Sequence, residues 1–252
     1  MSVQELFDLS DQVAVVTGAG RGIGEGIAKV FADAGAAVVL AARRTDEIER
    51  VRDEIEAKGQ RAIAVTTDVT DETAVDALAR EAVDRYGKLS IWVNNAGGSP
   101  VAKRLTRLSR ADWDACLSLN LTALWTCTVT AAKYMDQGCV INISSKAAWG
   151  PVPGSGHYAA AKAGVNSLTE TFARELAPAI RVNGIAPGAV PTEIMMKALR
   201  LEDGDLPKLK ENLGIPMGRL GTPLDLGACA LFLASPASSW ITGQTLIVTG
   251  GM

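Results

Sequence analysis

The sequence predicts an α/β fold, a doubly wound, mostly parallel seven-stranded sheet with helices on both faces. Short apolar, β-branched segments alternate along the chain with segments of helical periodicity, which is typical of parallel sheets. A glycine-rich turn joins the first apolar segment to a helical one. The 252 residues are 48% hydrophobic and contain no linker or repeat, so we expect residues 1–252 to form a single domain.

The predicted strands are short, rich in β-branched residues and bounded by turn-forming residues. They lie near Val13 and at 37–41, 62–66, 90–94, 139–143, 180–185 and 246–248. Residues suited to cap a helix N-terminus stand before the helical segments at Thr45, Ser109 and Thr222. Because ligands of such sheets collect at the carboxyl ends of the strands, we expect the functional residues to follow these strands directly.

Charge and composition restrict the partners of the chain. The net charge is −3 and the lysines and arginines are scattered, which argues against a nucleic-acid partner. The first residues lack the pattern of a signal peptide, and no uninterrupted apolar run approaches about 18 residues, so we expect a cytoplasmic protein outside the membrane. The four cysteines form no C-x-x-C pair, which favours reduced core residues over a metal site. We therefore expect small-molecule partners and no bound metal.

A glycine-rich turn follows the first predicted strand. Its glycines are Gly18, Gly22 and Gly24, with the spacing G-x-x-x-G-x-G instead of the commoner G-x-G-x-x-G. Glycine permits the sharp turn, a close approach of the backbone to a pyrophosphate, and tight packing of the next helix on its strand. The amino terminus of that helix then stabilises the negative charge. The pattern indicates a dinucleotide-binding turn.

Tyr158 and Lys162 stand four residues apart in a predicted helix, so their side chains share one face. An ammonium within about 4 to 6 Å favours the phenolate, so we expect Lys162 to lower the pKa of Tyr158 and allow proton exchange near neutral pH. Ser145 lies thirteen positions before Tyr158 and supplies a hydroxyl that can polarise a carbonyl group. Alone, the pair also fits a packed tyrosine and a solvated lysine. Together with the glycine turn, it indicates a proton-transfer site.

With these motifs the chain resembles the short-chain dehydrogenase/reductase family over nearly all of its length. The matching segments, in the family's order, are 17–24, Asp68-Val69, Asn94-Asn95-Ala96-Gly97, the tetrad Asn120, Ser145, Tyr158 and Lys162, and Pro187-Gly188 with Thr192. The resemblance implies a Rossmann-type fold, an oxidoreductase that acts on CH–OH groups with a nicotinamide cofactor, and a homotetramer.

The resemblance also implies a catalytic role for each residue of the tetrad. Tyr158 exchanges the proton with the reacting oxygen, and Ser145 donates a hydrogen bond to that oxygen. Lys162 lowers the pKa of Tyr158 and holds the nicotinamide ribose. Asn120 holds a water that connects Lys162 to solvent; the alternative is a helix-bending amide without a chemical role.

Two neighbours of the tetrad are expected to stay outside the reaction. Strand alternation directs the Ser144 side chain away from the face that Ser145 occupies. His157 is the only histidine, but adjacent helix positions face different ways. We therefore expect His157 to be a bystander at the rim of the pocket.

By the same resemblance, the cofactor contacts residues that follow several strands. These are Gly18, Arg21, Gly22, Ile23, Gly24, Arg43, Asp68, Val69, Asn94, Ala96, Gly97, Tyr158, Lys162, Pro187, Gly188, Val190 and Thr192.

The end of the second predicted strand favours NADP(H) over NAD(H). An NAD-binding chain usually carries an acid about 20 residues past the glycine turn, where this sequence has Ala42, Arg43 and Arg44. A small alanine leaves room for a 2′-phosphate, and the planar guanidinium of Arg43 suits it, with help from Arg21. Alternatively, Arg43 and Arg44 are a solvated surface pair. Asp46 and Glu47 are interpreted as favourable charges in the first turn of the next helix.

Two segments are expected to bind the substrate. The loop 147–153 offers Trp149 as an aromatic wall. Residues around 189–214 are interpreted as a lid whose methionines suit apolar ligands, or alternatively as a helix packed on the core.

Segments 94–98, 181–189 and 231–236 are similar to bacterial hydroxysteroid dehydrogenases of the 7α type. We therefore expect the substrate to be a ketone or secondary alcohol, steroid-like or otherwise bulky and cyclic. The alternative is a 3-oxoacyl-carrier-protein reductase, although 136–137 and 178–179 lack arginines to meet an acidic carrier. A non-catalytic regulator that senses the cofactor is disfavoured because Tyr158 and Lys162 are both present.

Overall fold

The computed structural model describes residues 2–99, 101–193, 195–196 and 202–252. Seven strands form one sheet in the order β3-β2-β1-β4-β5-β6-β7, and every strand pair among the described residues is parallel. The strands are β1 Val13–Thr17, β2 Ala37–Ala42, β3 Ala62–Thr66, β4 Ile91–Asn94, β5 Gly138–Ile143, β6 Ile180–Pro187 and β7 Thr245–Val248. The predicted doubly wound sheet is confirmed.

The strand order reverses between β1 and β4, where open α/β sheets bind their ligands. Ala14 pairs with Ile91 and Val16 with Val93, so the carboxyl ends of these two strands lie side by side. The residues that follow β1 and β4 are therefore neighbours in space although they are far apart in sequence.

Helices connect successive strands and cover both faces of the sheet. They are α1 Val3–Leu6, α2 Gly22–Asp33, α3 Thr45–Glu56, α4 Glu72–Tyr86, α5 Arg110–Leu117, α6 Ala123–Tyr134, α7 Gly156–Leu176, α8 Leu206–Leu213 and α9 Pro223–Ala234. Short 3₁₀ turns lie at Leu105–Arg107, Lys146–Trp149, Asp203–Asp205 and Pro236–Ser238.

The core divides into two apolar clusters because successive strand residues point to opposite faces. On one face, Val16 of β1 packs with Phe31 of α2 and Leu226 of α9. On the other face, Val15 of β1 packs with Leu78 of α4. Both faces of the sheet are covered, as parallel sheets require.

Two of the three predicted helix caps are confirmed. The Ser109 hydroxyl accepts a hydrogen bond from the Asp112 backbone N–H, and Thr222 forms a reciprocal capping box with Asp225. The prediction at Thr45 is wrong. Thr45 is already the first residue of α3, and its hydroxyl lies 2.7 Å from that of Thr66, the last residue of β3.

A helical stretch runs from Arg110 to Tyr134 through α5, a π-helical turn at Ser118–Thr122, and α6. Among the described residues it alone is long and apolar enough to cross a membrane by length and composition. Half of its most apolar window is buried inside the fold, and α6 contributes Cys127 and Ala131 to the core. Such burial is typical of the core helix of a globular protein.

The four cysteines are free, and Cys116, Cys127 and Cys139 are buried. This agrees with the prediction of reduced core residues. The predicted lid falls in part on 194 and 197–201, which lie outside the described residues. Within the described part, α8 has no buried residue, so it is not a helix packed into the core.

Candidate active site

A cleft of about 390 Å³ lies at the carboxyl ends of the strands. Most of the residues predicted to bind cofactor or substrate line it: Gly18, Arg21, Gly22, Ile23, Arg43, Asp68, Val69, Ala96, Gly97, Ser145, Tyr158, Lys162, Pro187, Gly188, Val190 and Thr192. The structure thus brings the glycine turn and the tyrosine-lysine pair into one cavity. Gly24, Asn94 and Asn120 lie outside the lining.

The glycine turn has the geometry that the sequence predicts. Gly18 and Gly22 have φ angles of 64° and 59°, which L side chains rarely adopt. A Cβ on Gly24 would lie 2.3 Å from the Gly18 carbonyl oxygen, so this glycine serves the tight packing of α2 on the turn. Gly24 therefore shapes the site from behind the cleft wall.

The neighbouring asparagines at the end of β4 point in different directions. Asn94, predicted to contact the cofactor, points into the core, where its amide donates to Thr128 and Asn142 at 2.9 Å each. Asn95 lines the cleft instead and donates to the carbonyl oxygens of Thr17 at 2.8 Å and Gly18 at 3.1 Å. The cofactor prediction for Asn94 is corrected because β4 ends at this residue and its side chain falls on the buried face.

Thr17, the last residue of β1, ties the glycine turn to β4. Its hydroxyl donates to the Val93 carbonyl oxygen and accepts from the backbone N–H groups of Asn95 and Ala96, each at 3.0 Å. The side chain is buried. Because one hydroxyl satisfies three backbone groups, Thr17 and Asn95 fix the two walls of the cleft relative to each other.

Tyr158 and Lys162 meet as the helical spacing predicts. The Lys162 ammonium lies 5.7 Å from the centre of the Tyr158 ring and donates a 2.7 Å hydrogen bond to the Ile143 carbonyl oxygen at the end of β5. Lys162 is only 4% exposed. Burial disfavours its charged form and lowers its pKa from 10.5 to about 8.

The expected fall in the pKa of Tyr158 is not found. Burial raises the pKa of Tyr158, while hydrogen bonding with Ser145 acts in the lowering direction. Cys116 adds a smaller contribution in the raising direction, and Lys162, whose own pKa is lowered, is not among the groups that shift the pKa of Tyr158. The surroundings of Tyr158 therefore favour the neutral phenol over the phenolate.

Asn120 lies in the π-helical turn that interrupts the stretch between α5 and α6. Its amide oxygen accepts from the Gly98 N–H at 2.9 Å, and its amide nitrogen donates to the carbonyl oxygens of Gly98 and Cys116, also at 2.9 Å. A Cβ on Gly97 would lie 2.8 Å from the Asn120 amide oxygen and 3.5 Å from the Lys162 ammonium. Asn120 and Lys162 thus both lie next to the backbone of Gly97 and Gly98, which lines the cleft.

Ser144 and Ser145 point in different directions, as strand alternation predicts. Both residues line the cleft, but the Ser144 side chain is buried and its hydroxyl donates to Asn166 at 2.6 Å, whereas the Ser145 hydroxyl is hydrogen-bonded with Tyr158. Ser145 also accepts a hydrogen bond from the Ala147 N–H at 3.2 Å, which orients its hydroxyl.

Comparisons with known proteins agree with this geometry. The model of a protein family described as enoyl-(acyl carrier protein) reductase matches residues 18–252. A 3-oxoacyl-[acyl-carrier-protein] reductase of Synechocystis sp. is 40% identical over 97% of this chain and 98% of its own length. The 7α-hydroxysteroid dehydrogenase of Escherichia coli is 37% identical over 96% of this chain and 94% of its own length. The chain belongs to the short-chain dehydrogenase/reductase family.

A solved 7α-hydroxysteroid dehydrogenase, complexed with NADH and 7-oxo glycochenodeoxycholic acid, superposes with a TM-score of 0.92 at 38% identity. The match covers 100% of this chain and 98% of that one. Members of the short-chain dehydrogenase/reductase family are oxidoreductases that act on CH–OH groups with NAD(P)(H), and this chain is such an oxidoreductase.

The residues of this short-chain dehydrogenase/reductase fit a nicotinamide dinucleotide. Arg21 precedes α2 without a side-chain cap hydrogen bond, so the first N–H groups of the helix remain available to an anion. A Cβ on Gly22 would lie 3.0 Å from Thr192 across the cleft. The turn therefore presents bare backbone to the space where a pyrophosphate would lie.

Charged side chains surround the end of the cleft that lies beside β2 and β3. Arg43 has 71% of its side chain exposed and lies 3.9 Å from Asp68. Arg21 forms an ion pair with Glu193, and Arg44 pairs with Glu47 at 2.8 Å. Glu47 was expected only to favour the first turn of α3, but it also lines the cleft. Sequence reasoning missed this because helix position alone does not show where a long side chain reaches.

The prediction for His157 is corrected. The side chain is fully buried, and neither ring nitrogen has a hydrogen-bond partner among the described residues. It does not line the cleft, so it is a core residue of α7 and not part of the pocket rim. The expectation that it takes no part in proton transfer stays a prediction.

Proposed function

We propose that this protein transfers a hydride between NADP(H) and a ketone or secondary alcohol, with Tyr158 as proton donor and acceptor. The observation that carries this proposal is the convergence of the glycine turn, Ser145, Tyr158 and Lys162 on one cleft. The nicotinamide supplies the hydride chemistry when bound, and the protein orients the substrate and moves the proton.

In the proposed reduction, Tyr158 gives its proton to the carbonyl oxygen of the substrate. Its raised pKa keeps the phenol protonated at neutral pH, which suits a proton donor. Ser145 donates a hydrogen bond to the same oxygen and stabilises the negative charge that develops there. In the oxidation, Tyr158 accepts the proton of the alcohol.

Lys162 and Asn120 complete the proposed proton path. With a pKa of about 8, Lys162 can lose or gain a proton near physiological pH and restore the proton of Tyr158. Asn120 holds the Gly98 backbone beside Lys162, and we assign it the water that links the lysine to solvent. The ribose of the nicotinamide is the proposed second partner of the Lys162 ammonium.

The substitution Tyr158→Phe tests the proton role. It removes only the hydroxyl, so turnover is expected to fall to background while the cofactor binds with unchanged Kd. Loss of cofactor binding would show a folding defect, which circular dichroism would reveal. A variant that keeps wild-type turnover contradicts the proposed mechanism.

NADP(H) is the proposed cofactor because no acid follows β2 at the position usual for NAD-binding chains. Ala42 and Arg43 both line the cleft, and the exposed Arg43 guanidinium is free enough to turn toward a 2′-phosphate. We expect a higher kcat/KM with NADPH than with NADH, and Arg43→Asp is expected to reverse the preference. A clear preference of the wild type for NADH contradicts this assignment.

The proposed substrate is a bulky cyclic ketone or alcohol, steroid-like in size. Trp149 is exposed in the loop after Ser145, and Met195 lines the cleft, so the substrate side offers apolar surface. The second candidate is 3-oxoacyl-carrier-protein reduction, which the 40% identical relative from Synechocystis sp. favours. Turnover of 7-oxosteroids compared with that of an acetoacetyl thioester distinguishes the two. Tight cofactor binding without turnover of any ketone would instead support a cofactor-sensing regulator.

We further propose a cytoplasmic homotetramer of single-domain subunits, with a substrate lid around 189–214. Large apolar side chains remain exposed near β7 and at the start of α9, among them Trp240 at 99%, Leu224 at 66% and Ile247 at 49%. Exposed apolar side chains of this size are typical of interfaces between copies. Light scattering coupled to size exclusion tests the assembly, and a monomer at micromolar concentration contradicts it.

A further inference from the structure

A short basic segment stands out in this acidic chain. Residues 101–110 contain Lys103, Arg104, Arg107 and Arg110 and no acid, although the chain as a whole carries a net charge of −3. The lysines and arginines are scattered elsewhere, so this segment is a local exception. It connects the end of the cleft-lining backbone after β4 to α5.

The fold places this basic segment beside the residues that handle the proton. Gly98 and Ser99, just before it, line the cleft. The Lys103 N–H donates to the Gly154 carbonyl oxygen at 2.8 Å, and a Cβ on Gly156 would lie 2.9 Å from Leu105. Gly156 begins α7 two residues before Tyr158. The segment therefore lies on the substrate side of the cleft, next to the turn that carries Tyr158.

Two of the four cations of the segment form salt bridges with nearby carboxylates, and the other two form none with the described residues. Lys103 pairs with Asp112 and Arg110 with Asp114, each at 2.8 Å. Arg104 and Arg107 are exposed, and neither forms a salt bridge with any other part of the chain that the structure describes. Leu105, between them, is 56% exposed. The surface thus offers two guanidinium groups around one apolar side chain.

We propose that Arg104 and Arg107 bind an anionic group at the end of the substrate remote from the reacting carbonyl. A guanidinium binds carboxylate or phosphate oxygens through two parallel hydrogen bonds, so both anions fit the same pair of side chains. Leu105 contacts the apolar chain that joins the anion to the carbonyl. The substrate class is therefore an anionic ketone, and the inference rests on the proposed ketone reduction.

Two matched substrate pairs test the proposal with the full enzyme and NADPH. One pair is 7-oxo glycochenodeoxycholic acid and its methyl ester, which differ by one carboxylate charge. The other is acetoacetyl coenzyme A and acetoacetyl-N-acetylcysteamine, of which only the first carries phosphates. The variant is Arg104→Gln with Arg107→Gln. The control is Lys88→Gln with Arg174→Gln, two exposed cations that precede β4 and β6 and do not line the cleft, and whose loss changes the net charge equally.

We expect the double variant to raise KM for a charged member by about tenfold with kcat unchanged, and to leave its neutral partner unaffected. The control variant is expected to behave like the wild type, and the effect is expected to fade at high salt. An effect on the steroid pair identifies the anion as a carboxylate, and an effect on the thioester pair identifies it as a phosphate.

Equal KM values for charged and neutral members in both pairs, with wild-type and variant enzyme, overturn the proposal. Failure of the proposed function is distinguishable from that result. If no ketone is turned over, calorimetric Kd values for the same four compounds report on the arginines directly. A charge-dependent Kd that is lost in Arg104→Gln with Arg107→Gln supports the subsite, and a Kd independent of both arginines refutes it.

Discussion

Arg50 on α3 donates a 3.0 Å hydrogen bond to the carbonyl oxygen of Gly20 in the glycine turn. The same guanidinium pairs with Glu25 of α2 at 3.1 Å and with Glu54 at 2.6 Å. Lys29 completes the ring by pairing with Glu25 and Glu54. The charged side chains of α2 and α3 therefore hold Arg50 in the orientation in which it donates to the Gly20 carbonyl oxygen.

Loss of the Arg50 side chain is expected to weaken cofactor binding. Arg50→Met keeps the aliphatic part of the side chain and removes the hydrogen bond to Gly20. The backbone of the glycine turn then becomes more mobile, and cofactor binding must offset the entropy lost when the turn is ordered. KM for NADPH is expected to rise about three- to tenfold, while kcat at saturating cofactor and KM for the ketone stay unchanged. Steady-state kinetics with each substrate varied in turn measure this.

Glu54→Gln is the matched control for Arg50→Met. It removes the two ion pairs that Glu54 forms with Arg50 and Lys29 but leaves Arg50 bonded to Gly20 and Glu25. Both variants are expected to lower Tm slightly, and only Arg50→Met is expected to change KM for NADPH. Equal cofactor effects in the two variants would show that the network contributes general stability alone.

The second prediction concerns the Thr17 hydroxyl, which connects the end of β1 to the end of β4. Thr17→Val keeps the shape but leaves the Ala96 N–H without its acceptor and the Asn95 N–H with only the Val93 carbonyl oxygen, so the free energy of unfolding is expected to fall by about 2 to 3 kcal/mol. Thr17→Ser keeps the hydroxyl, and a loss of only about 1 kcal/mol is expected. Urea unfolding measures both, and equal losses would contradict a role for the hydroxyl.

The buried Lys162 predicts a pH dependence of stability. Its pKa is about 8 in the folded protein against an ordinary value of 10.5, so between these values the unfolded chain binds more protons. The free energy of unfolding of the wild type, relative to Lys162→Met, is therefore expected to rise with pH, by about 1 kcal/mol from pH 7 to pH 9. Other titrating groups are common to both proteins and cancel in the difference. A difference that is constant or falls with pH contradicts the lowered pKa.

The sequence predicted the sheet, its strand bounds to within two residues, and the convergence of the glycine turn with Tyr158 and Lys162. These features follow from local patterns, because apolar runs, glycine spacing and helical periodicity act over a few residues. Family resemblance added Asn120 and Pro187. No local pattern showed that Asn94 points into the core while Asn95 reaches the turn, since that depends on where β4 ends.

The remaining errors have the same physical origin. The pKa of Tyr158 depends on how much solvent the folded cleft removes from the phenol, and the sequence contains no measure of it. His157 lies beside Tyr158 in sequence, yet α7 turns it fully into the interior. Thr45 has the residue type of a helix cap, but its hydroxyl forms a hydrogen bond with the hydroxyl of Thr66 instead. The pairing of β2 with β3 brings these two residues together. Each outcome is decided by tertiary packing.

The paired serines after β5 allow the chemical and structural roles to be separated. Ser145→Ala removes a hydroxyl that lines the cleft beside Tyr158, so kcat is expected to fall about 10²- to 10³-fold with little change in Tm. Ser144→Ala removes a buried hydroxyl bonded to Asn166, so it is expected to lower Tm while kcat stays within about threefold of the wild type. Both are measured with one ketone, saturating NADPH and parallel thermal unfolding. If Ser144→Ala abolished turnover while Ser145→Ala did not, the assignment of the carbonyl-polarising hydroxyl to Ser145 would be wrong, because the Ser144 hydroxyl is buried and bonded to Asn166.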